Sequence, residues 1–168
     1  EYPDYLTTDW NNPLSPEYPQ IDVLYGGTGN DTLRGFSRST IYGEEGNDTI
    51  STENIVTGTT AYGGAGNDSI TLVQPKIADG GDGDDTVWGH FSYLDLGSGD
   101  DLAYISEEYQ STTSTVDYVD GGAGNDTVRI GNDLSLGHLY YLNHGSSSFG
   151  NTVKNFESYI FDSWTYNF

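Results

Sequence analysis

Gly26-Gly27-Thr28-Gly29-Asn30-Asp31-Thr32-Leu33 is a phrase that returns five more times, with variations, before the C-terminal stretch. The returns run Gly43 to Ile50, Gly63 to Ile70, Gly80 to Val87, Leu96 to Ala103 and Gly121 to Val128. Their aspartates are Asp31, Asp48, Asp68, Asp85, Asp101 and Asp126, at intervals of 17, 20, 17, 16 and 25 residues. Glycine at the first, second and fourth positions lets the backbone take positive φ and turn sharply, so that several carbonyl oxygens face one side. A carboxylate two residues later adds charge to that ring of oxygens. Hard oxygen donors on a flexible turn suit Ca²⁺, which takes about six to eight of them without strict octahedral geometry.

After each aspartate come a Thr, Ser or Leu and then an apolar residue: Leu33, Ile50, Ile70, Val87, Ala103 and Val128. A second apolar ladder stands two residues before each loop: Leu24, Ile41, Ala61, Ala78, Leu94 and Val119. Each interval therefore holds a turn, a short strand, a second turn and a second short strand. One aliphatic side chain per strand sits at a fixed offset. That is one coil of a solenoid, and stacked coils pairing in parallel would bury two aliphatic stripes. The expected fold is all-β, a right-handed parallel β-roll.

The quoted phrases resemble the RTX family of secreted calcium-binding β-rolls, built on the nonapeptide Gly-Gly-x-Gly-x-Asp-x-U-x with U apolar. Loops one, three, four and six match every defining position, and the resemblance spans about residues 21 to 130. It implies that carbonyls at loop positions one and three serve one ion, those at two and four its neighbour, and that the aspartate bridges both. The implied ligands in the first loop are Gly26, Gly27, Thr28, Gly29 and Asp31, and in the second Gly43, Glu44, Glu45, Gly46 and Asp48. In the third they are Gly63, Gly64, Ala65, Gly66 and Asp68, and in the fourth Gly80, Gly81, Asp82, Gly83 and Asp85. Leu96, Gly97, Ser98, Gly99 and Asp101 follow in the fifth loop, and Gly121, Gly122, Ala123, Gly124 and Asp126 in the sixth. An ion that draws on two successive turns gives about five Ca²⁺ for six loops, one per gap.

Three features depart from the family pattern. The family often carries the nonapeptide on both edges of the roll, whereas here it occurs once per coil, so one edge is expected to bind calcium. Loop two has Glu44 where the second glycine belongs, and loop five opens with Leu96.

The 168 residues make one domain, with 26 acidic against five basic side chains and a formal charge of −21. A chain this acidic would ordinarily be read as solvated or disordered. The placement of Asp beside glycines reverses that reading, because stacking brings the bridging carboxylates into a row whose repulsion only cations relieve. The same charge excludes nucleic acid, since phosphate neutralisation needs Lys and Arg. There is no Cys, hence no disulfide framework or thiolate metal site, and no apolar run long enough for membrane insertion. The chain lacks Met and starts at Glu1, and we read it as a monomeric module of a longer protein.

Residues 1–20, with Pro3, Pro13, Pro16 and Pro19, read as an N-terminal linker or cap, with Tyr2, Tyr5, Trp10 and Tyr18 draped over the first coil. Residues 21–130 are the β-roll. The turns of its far edge are irregular, and a Ser/Thr-rich excursion between Ser106 and Val116 accounts for the interval of 25 residues. Residues 131–168 read as a C-terminal cap, in which Val153 to Phe161 has strand-like spacing.

No catalytic constellation is visible. His90, His138 and His144 lack a His-Glu-x-x-His spacing and read as surface or turn residues, and Gly145 to Gly150 does not fit Gly-x-Ser-x-Gly. The pairs Asp84-Asp85 and Asp100-Asp101 are absorbed by the repeat. Trp88, His90, Phe91 and Tyr93 cluster at one far turn, where aromatic faces would suit a sugar or a protein partner. The resulting expectation is a non-enzymatic calcium-binding module of a large secreted bacterial protein such as an adhesin. The resemblance further implies type I export, unfolded, from a calcium-poor cytoplasm. The alternatives are an accessory module of a secreted hydrolase or polysaccharide-modifying enzyme, or an adhesin end gripping cell-surface glycan or ice. Ice needs a flat array of matched Thr, which Thr28, Glu45, Ala65, Asp82, Ser98 and Ala123 do not supply.

Overall fold

The computed structural model describes residues 5–7, 23–35, 38–52, 58–105, 118–130 and 152–161. Thirteen strands and no helix occur among them, and so no helix long and apolar enough to cross a membrane. The chain is a β-solenoid of parallel strands in two facing sheets.

The first sheet stacks β2 (Val23–Thr28), β4 (Thr40–Glu45), β6 (Thr60–Ala65), the second half of β7 (Ser69–Asp82), the second half of β8 (Thr86–Ser98), β10 (Tyr118–Asp120) and β12 (Thr152–Lys154). The second stacks β1 (Tyr5–Thr7), β3 (Thr32–Gly35), β5 (Thr49–Thr52), the first halves of β7 and β8, β9 (Leu102–Ile105), β11 (Thr127–Ile130) and β13 (Ser158–Phe161). Every neighbouring pair is parallel, and each coil crosses from the first sheet to the second through one glycine-rich loop.

Register follows the two aliphatic ladders. Leu24, Ile41, Ala61, Ala78, Leu94 and Val119 share one register line of the first sheet, and Leu33, Ile50, Ile70, Val87, Ala103 and Val128 one line of the second. All twelve are buried. Alternation along a strand decides this: a one-residue slip would turn a whole ladder to solvent, so the pattern specifies the stacking.

The far edge differs from a row of separate turns. β7 and β8 run without a break around it, with Lys76 opposite Phe91 and register shifts on either side. Phe91, Leu72 and Ile105 fill this end of the core. His90, expected at the surface or in a turn, is buried inside β8, and that burial lowers its pKa.

The aromatic cluster at that turn does not form one patch. Phe91 points into the core, while Trp88 and Tyr93, 37% and 38% exposed, lie on opposite sheets. Elsewhere Tyr25, Tyr42 and Tyr62 stack in register, with ring centroids 5.1 and 4.9 Å apart and planes within 8° and 5° of parallel. Tyr93 stacks on Tyr118 at 4.8 Å in the same way. Each stacked face is used by the next ring, so these ladders present edges and hydroxyls outward. The readings for residues 1–4, 8–22, 106–117, 131–151 and 162–168, including Tyr2, Trp10, Tyr18, His138 and His144, fall outside the described residues.

Candidate metal centre

All thirty implied ligands lie along one edge, where the six loops stack in register. The glycines that make the turn possible are held by neighbours as well as by φ. A Cβ on Gly63 would overlap the Asp68 Oδ2 and the Gly80 carbonyl oxygen, and one on Gly64, at φ 115°, would overlap the Glu44 carbonyl. The glycines at position one, Gly26, Gly43, Gly63, Gly80 and Gly121, are each roofed in this way by their own loop's carboxylate and by the next coil's first carbonyl.

These close approaches also give the direction of each carbonyl. Oxygens at positions two and four point up the stack: Gly64 and Gly66 face Gly81 and Gly83, and Gly81 and Gly83 face Gly97 and Gly99. Oxygens at positions one and three point down. The Gly80 oxygen lies over Gly63, and the position-three oxygens of Glu45, Ala65, Asp82, Ser98 and Ala123 accept the position-four amides of the coil below at 2.7 to 2.9 Å. Each gap thus collects two carbonyls from below and two from above. The side chains at position three, Thr28, Glu45, Ala65, Asp82, Ser98 and Ala123, are exposed, which leaves their backbone oxygens to face the gaps.

The aspartates complete the gap. The Asp31 amide donates to Asp48 Oδ1 at 2.7 Å, Asp48 to Asp68 at 2.7 Å, Asp68 to Asp85 at 2.8 Å, Asp85 to Asp101 at 2.7 Å and Asp101 to Asp126 at 3.0 Å. Each carboxylate is at most 2% exposed. Asp48, Asp68, Asp85, Asp101 and Asp126 each keep Oδ2 buried with no hydrogen-bond partner. Leaving one such charged acceptor unsatisfied costs ~1–3 kcal/mol or more. Five of them in a row, each beside inward carbonyls, is a cradle for cations. No three His, Cys, Asp or Glu side chains converge at one point among the described residues. The donor set is instead backbone oxygen plus one carboxylate per coil, which fits Ca²⁺ and not Zn²⁺.

The electrostatics agree. Burial raises the pKa of Asp68 to about 6, of Asp85 to about 7 and of Asp101 to about 6; the amide each accepts opposes the shift and neighbouring carboxylates add to it. Asp48 and Asp126 rise for the same reason. Because these folded-state values lie above those of an unfolded chain, the proton-linked stability is fully present below about pH 4 and lost as pH rises through about 6 to 7. In EGTA, acidification from pH 8 to 5 is therefore expected to favour the folded roll, as read by circular dichroism. With calcium present the sign reverses, since protons compete for the same oxygens and apparent affinity falls over that range. A metal-free chain that loses strand signal on acidification would contradict this.

The two irregular loops keep the backbone path. The Leu96 carbonyl lies over Gly80 as other first-position carbonyls lie over their partners, while its side chain is wholly buried in the core. Glu44 adopts φ 78°, the left-handed conformation of the glycine it replaces, and stands in register between Gly27 and Gly64. That conformation costs a non-glycine residue ~1–2 kcal/mol. Glu44→Gly is accordingly expected to stabilise the calcium-loaded roll by about 1 kcal/mol after the entropy of a freer unfolded chain, measured by thermal or urea unfolding in calcium. An unchanged or lowered stability would show that Glu44 is not strained.

Sequence reading missed two parts of this edge. Position five forms a second ladder on the exposed side, running the opposite way: the Asn47 amide donates to Asn30 Oδ1 at 2.9 Å, and the pattern continues through Asn67, Asp84, Asp100 and Asn125. The aspartate row also continues past the last repeat, since the Asp126 amide donates to Glu157 Oε2 at 2.7 Å. The available signal was Glu157-Ser158-Tyr159, which follows the order of Asp126-Thr127-Val128 without its glycines.

The family model of the RTX calcium-binding nonapeptide repeat (4 copies) matches residues 20–37, 38–54, 58–72, 77–91 and 113–134, just over half of the chain. No curated protein and no solved structure matches it.

Proposed function

The chain belongs to the RTX calcium-binding nonapeptide-repeat family, and from that premise we propose that its calcium-binding β-roll is a non-catalytic, monomeric module of a large secreted or surface bacterial protein of adhesin type. It leaves the cell unfolded by type I export and folds outside on meeting calcium. The observation that carries this reading is the row of buried Oδ2 atoms, which makes the fold depend on cations that are scarce in cytoplasm and abundant outside. About five ions, one in each gap between the six loops, complete the stack. An antibody against the folded roll gives the test by fractionation of the source cells. Signal in the medium or on intact cells is expected, and signal confined to the cytoplasm would overturn it.

A glycan or protein partner belongs to the same proposal. Trp88 supports it, being exposed on the sheet opposite Tyr93, and beside it in register is Tyr104, over which the Arg129 guanidinium lies 5.6 Å from the ring centroid. Shifts of the Trp88 indole resonance on adding cell-surface oligosaccharides are the expected sign, and their absence would take the sugar out of the reading.

A further inference from the structure

Residues 152–161 form a seventh coil. β12 pairs with β10 and β13 with β11, both in parallel and in the register of the coils below. Asn155 occupies the place of a first loop residue and Glu157 that of the aspartate. Only Phe156 stands between them, where every earlier loop has four residues. Phe156 is buried, and so the shortened turn closes the core.

The gap beneath this coil nevertheless keeps the parts of a cation site. A Cβ on Gly121 would overlap the Asn155 carbonyl and would stand 2.9 Å from Asp126 Oδ2, the same pair of oxygens, one from each coil, that roofs position one elsewhere. Asp126 Oδ2 is buried and has no hydrogen-bond partner. Gly122 and Gly124, at φ 91° and 150°, keep the positive φ that turns the equivalent carbonyls of earlier loops toward the next coil. Glu157 supplies a carboxylate from above. It accepts the Asp126 amide through Oε2, as each aspartate does through Oδ1 for the coil below it.

The terminal coil is held in this pose by Asp120. That carboxylate pairs with the Lys154 ammonium, accepts the Asn155 side-chain amide at 2.7 Å and accepts the Tyr118 hydroxyl at 2.7 Å. Asn155 takes φ 57°, which a short polar side chain tolerates, and so its carbonyl is presented without a glycine.

We propose that the gap between the sixth loop and the terminal coil is an additional Ca²⁺ site, formed by Asp126, Asn155, Glu157 and the carbonyls of Gly122 and Gly124. The reading rests on calcium binding by the loops. The upper half of the gap lacks the position-three carbonyl, so water fills the remaining coordination of an ion that accepts it. This site is therefore the weakest of the row and fills last. It also gives the cap a role beyond covering apolar surface, because calcium bound there clamps the end of the stack.

The test is an ion count by native mass spectrometry on the whole chain at calcium well above the folding midpoint, with folding of each protein checked by circular dichroism. Glu157→Gln keeps an acceptor for the Asp126 amide and removes the charge; it is expected to carry one ion fewer than the parent. Glu157→Asp keeps the charge and is expected to retain the ion. Equal counts in the parent and Glu157→Gln, or the same loss in both variants, would overturn the site. No bound ions on any of the three proteins would instead remove the calcium reading on which it rests.

Discussion

In EGTA at pH 7.5 the chain is expected to lose its strand signal, and added calcium is expected to restore it cooperatively between ~0.1 and 1 mM, the range of extracellular calcium modules. The size of the effect follows from the stacked carboxylates. Two charges at the strand spacing of ~4.8 Å repel by roughly 3 kcal/mol at an effective dielectric of about 20. Across the row from Asp31 to Asp126 that repulsion is comparable with the ~5–15 kcal/mol that holds an ordinary domain folded. The aliphatic ladders offer little in reserve, because Ala61, Ala78 and Ala103, though fully buried, have little apolar side chain to withdraw from water. Cations placed in the gaps as proposed would cancel the repulsion and occupy the oxygens left without partners, which would make binding free energy folding free energy. Circular dichroism and tryptophan fluorescence through a calcium titration give the measurement. A chain that keeps its strand signal and a sharp thermal transition in EGTA would show that calcium merely decorates a fold stable without it.

The second large effect is expected at Asp68, in the middle of the row. Asp68→Ala strips the Asp48 amide of its 2.7 Å acceptor and takes a carboxylate from the two gaps the residue adjoins. An unsatisfied buried amide alone costs ~1–3 kcal/mol, and each gap loses its charged ligand besides. In a solenoid the damage spreads to both neighbouring coils, so the calcium midpoint is expected to rise by about tenfold or more. Asp68→Asn separates the two contributions. It keeps an acceptor for Asp48 and removes the charge, and so is expected to recover part of the thermal stability but little of the calcium affinity. Asp84→Asn is the control, since Asp84 belongs to the exposed position-five ladder, where it accepts the Asp100 amide at 2.9 Å. There the change is expected to fall within about 0.5 kcal/mol. Matching titration midpoints for Asp68→Asn and Asp84→Asn would remove the buried carboxylate from the ion site.

Repetition makes most of this architecture legible in the sequence alone. The two aliphatic ladders, the glycine positions and the aspartate row are short-range patterns, each repeated six times, and parallel stacking is the arrangement that buries both ladders at once. What could be read locally was which residues meet the edge. Which way each carbonyl points was not, because that direction depends on the φ of Gly64 or Gly81 against a coil 16 to 25 residues away. The division of labour within each carboxylate, Oδ1 on an amide and Oδ2 turned inward, is likewise a property of two stacked coils.

Three further outcomes belong to the tertiary structure for the same reason. Trp88 and Tyr93 are five residues apart in the chain but on opposite sheets, since the strand bends around Phe91 between them. His90 is polar by type and buried by that same bend. Asn155 and Glu157 carry no glycine signature at all, and only pairing of β12 with β10 and of β13 with β11 brings them over Gly121 and Asp126. A motif records what a loop needs in order to turn. Where stacking supplies the turn from outside, through Asp120 and the strands on either side, the motif is free to disappear while one carbonyl, of Asn155, and one carboxylate, of Glu157, keep their places.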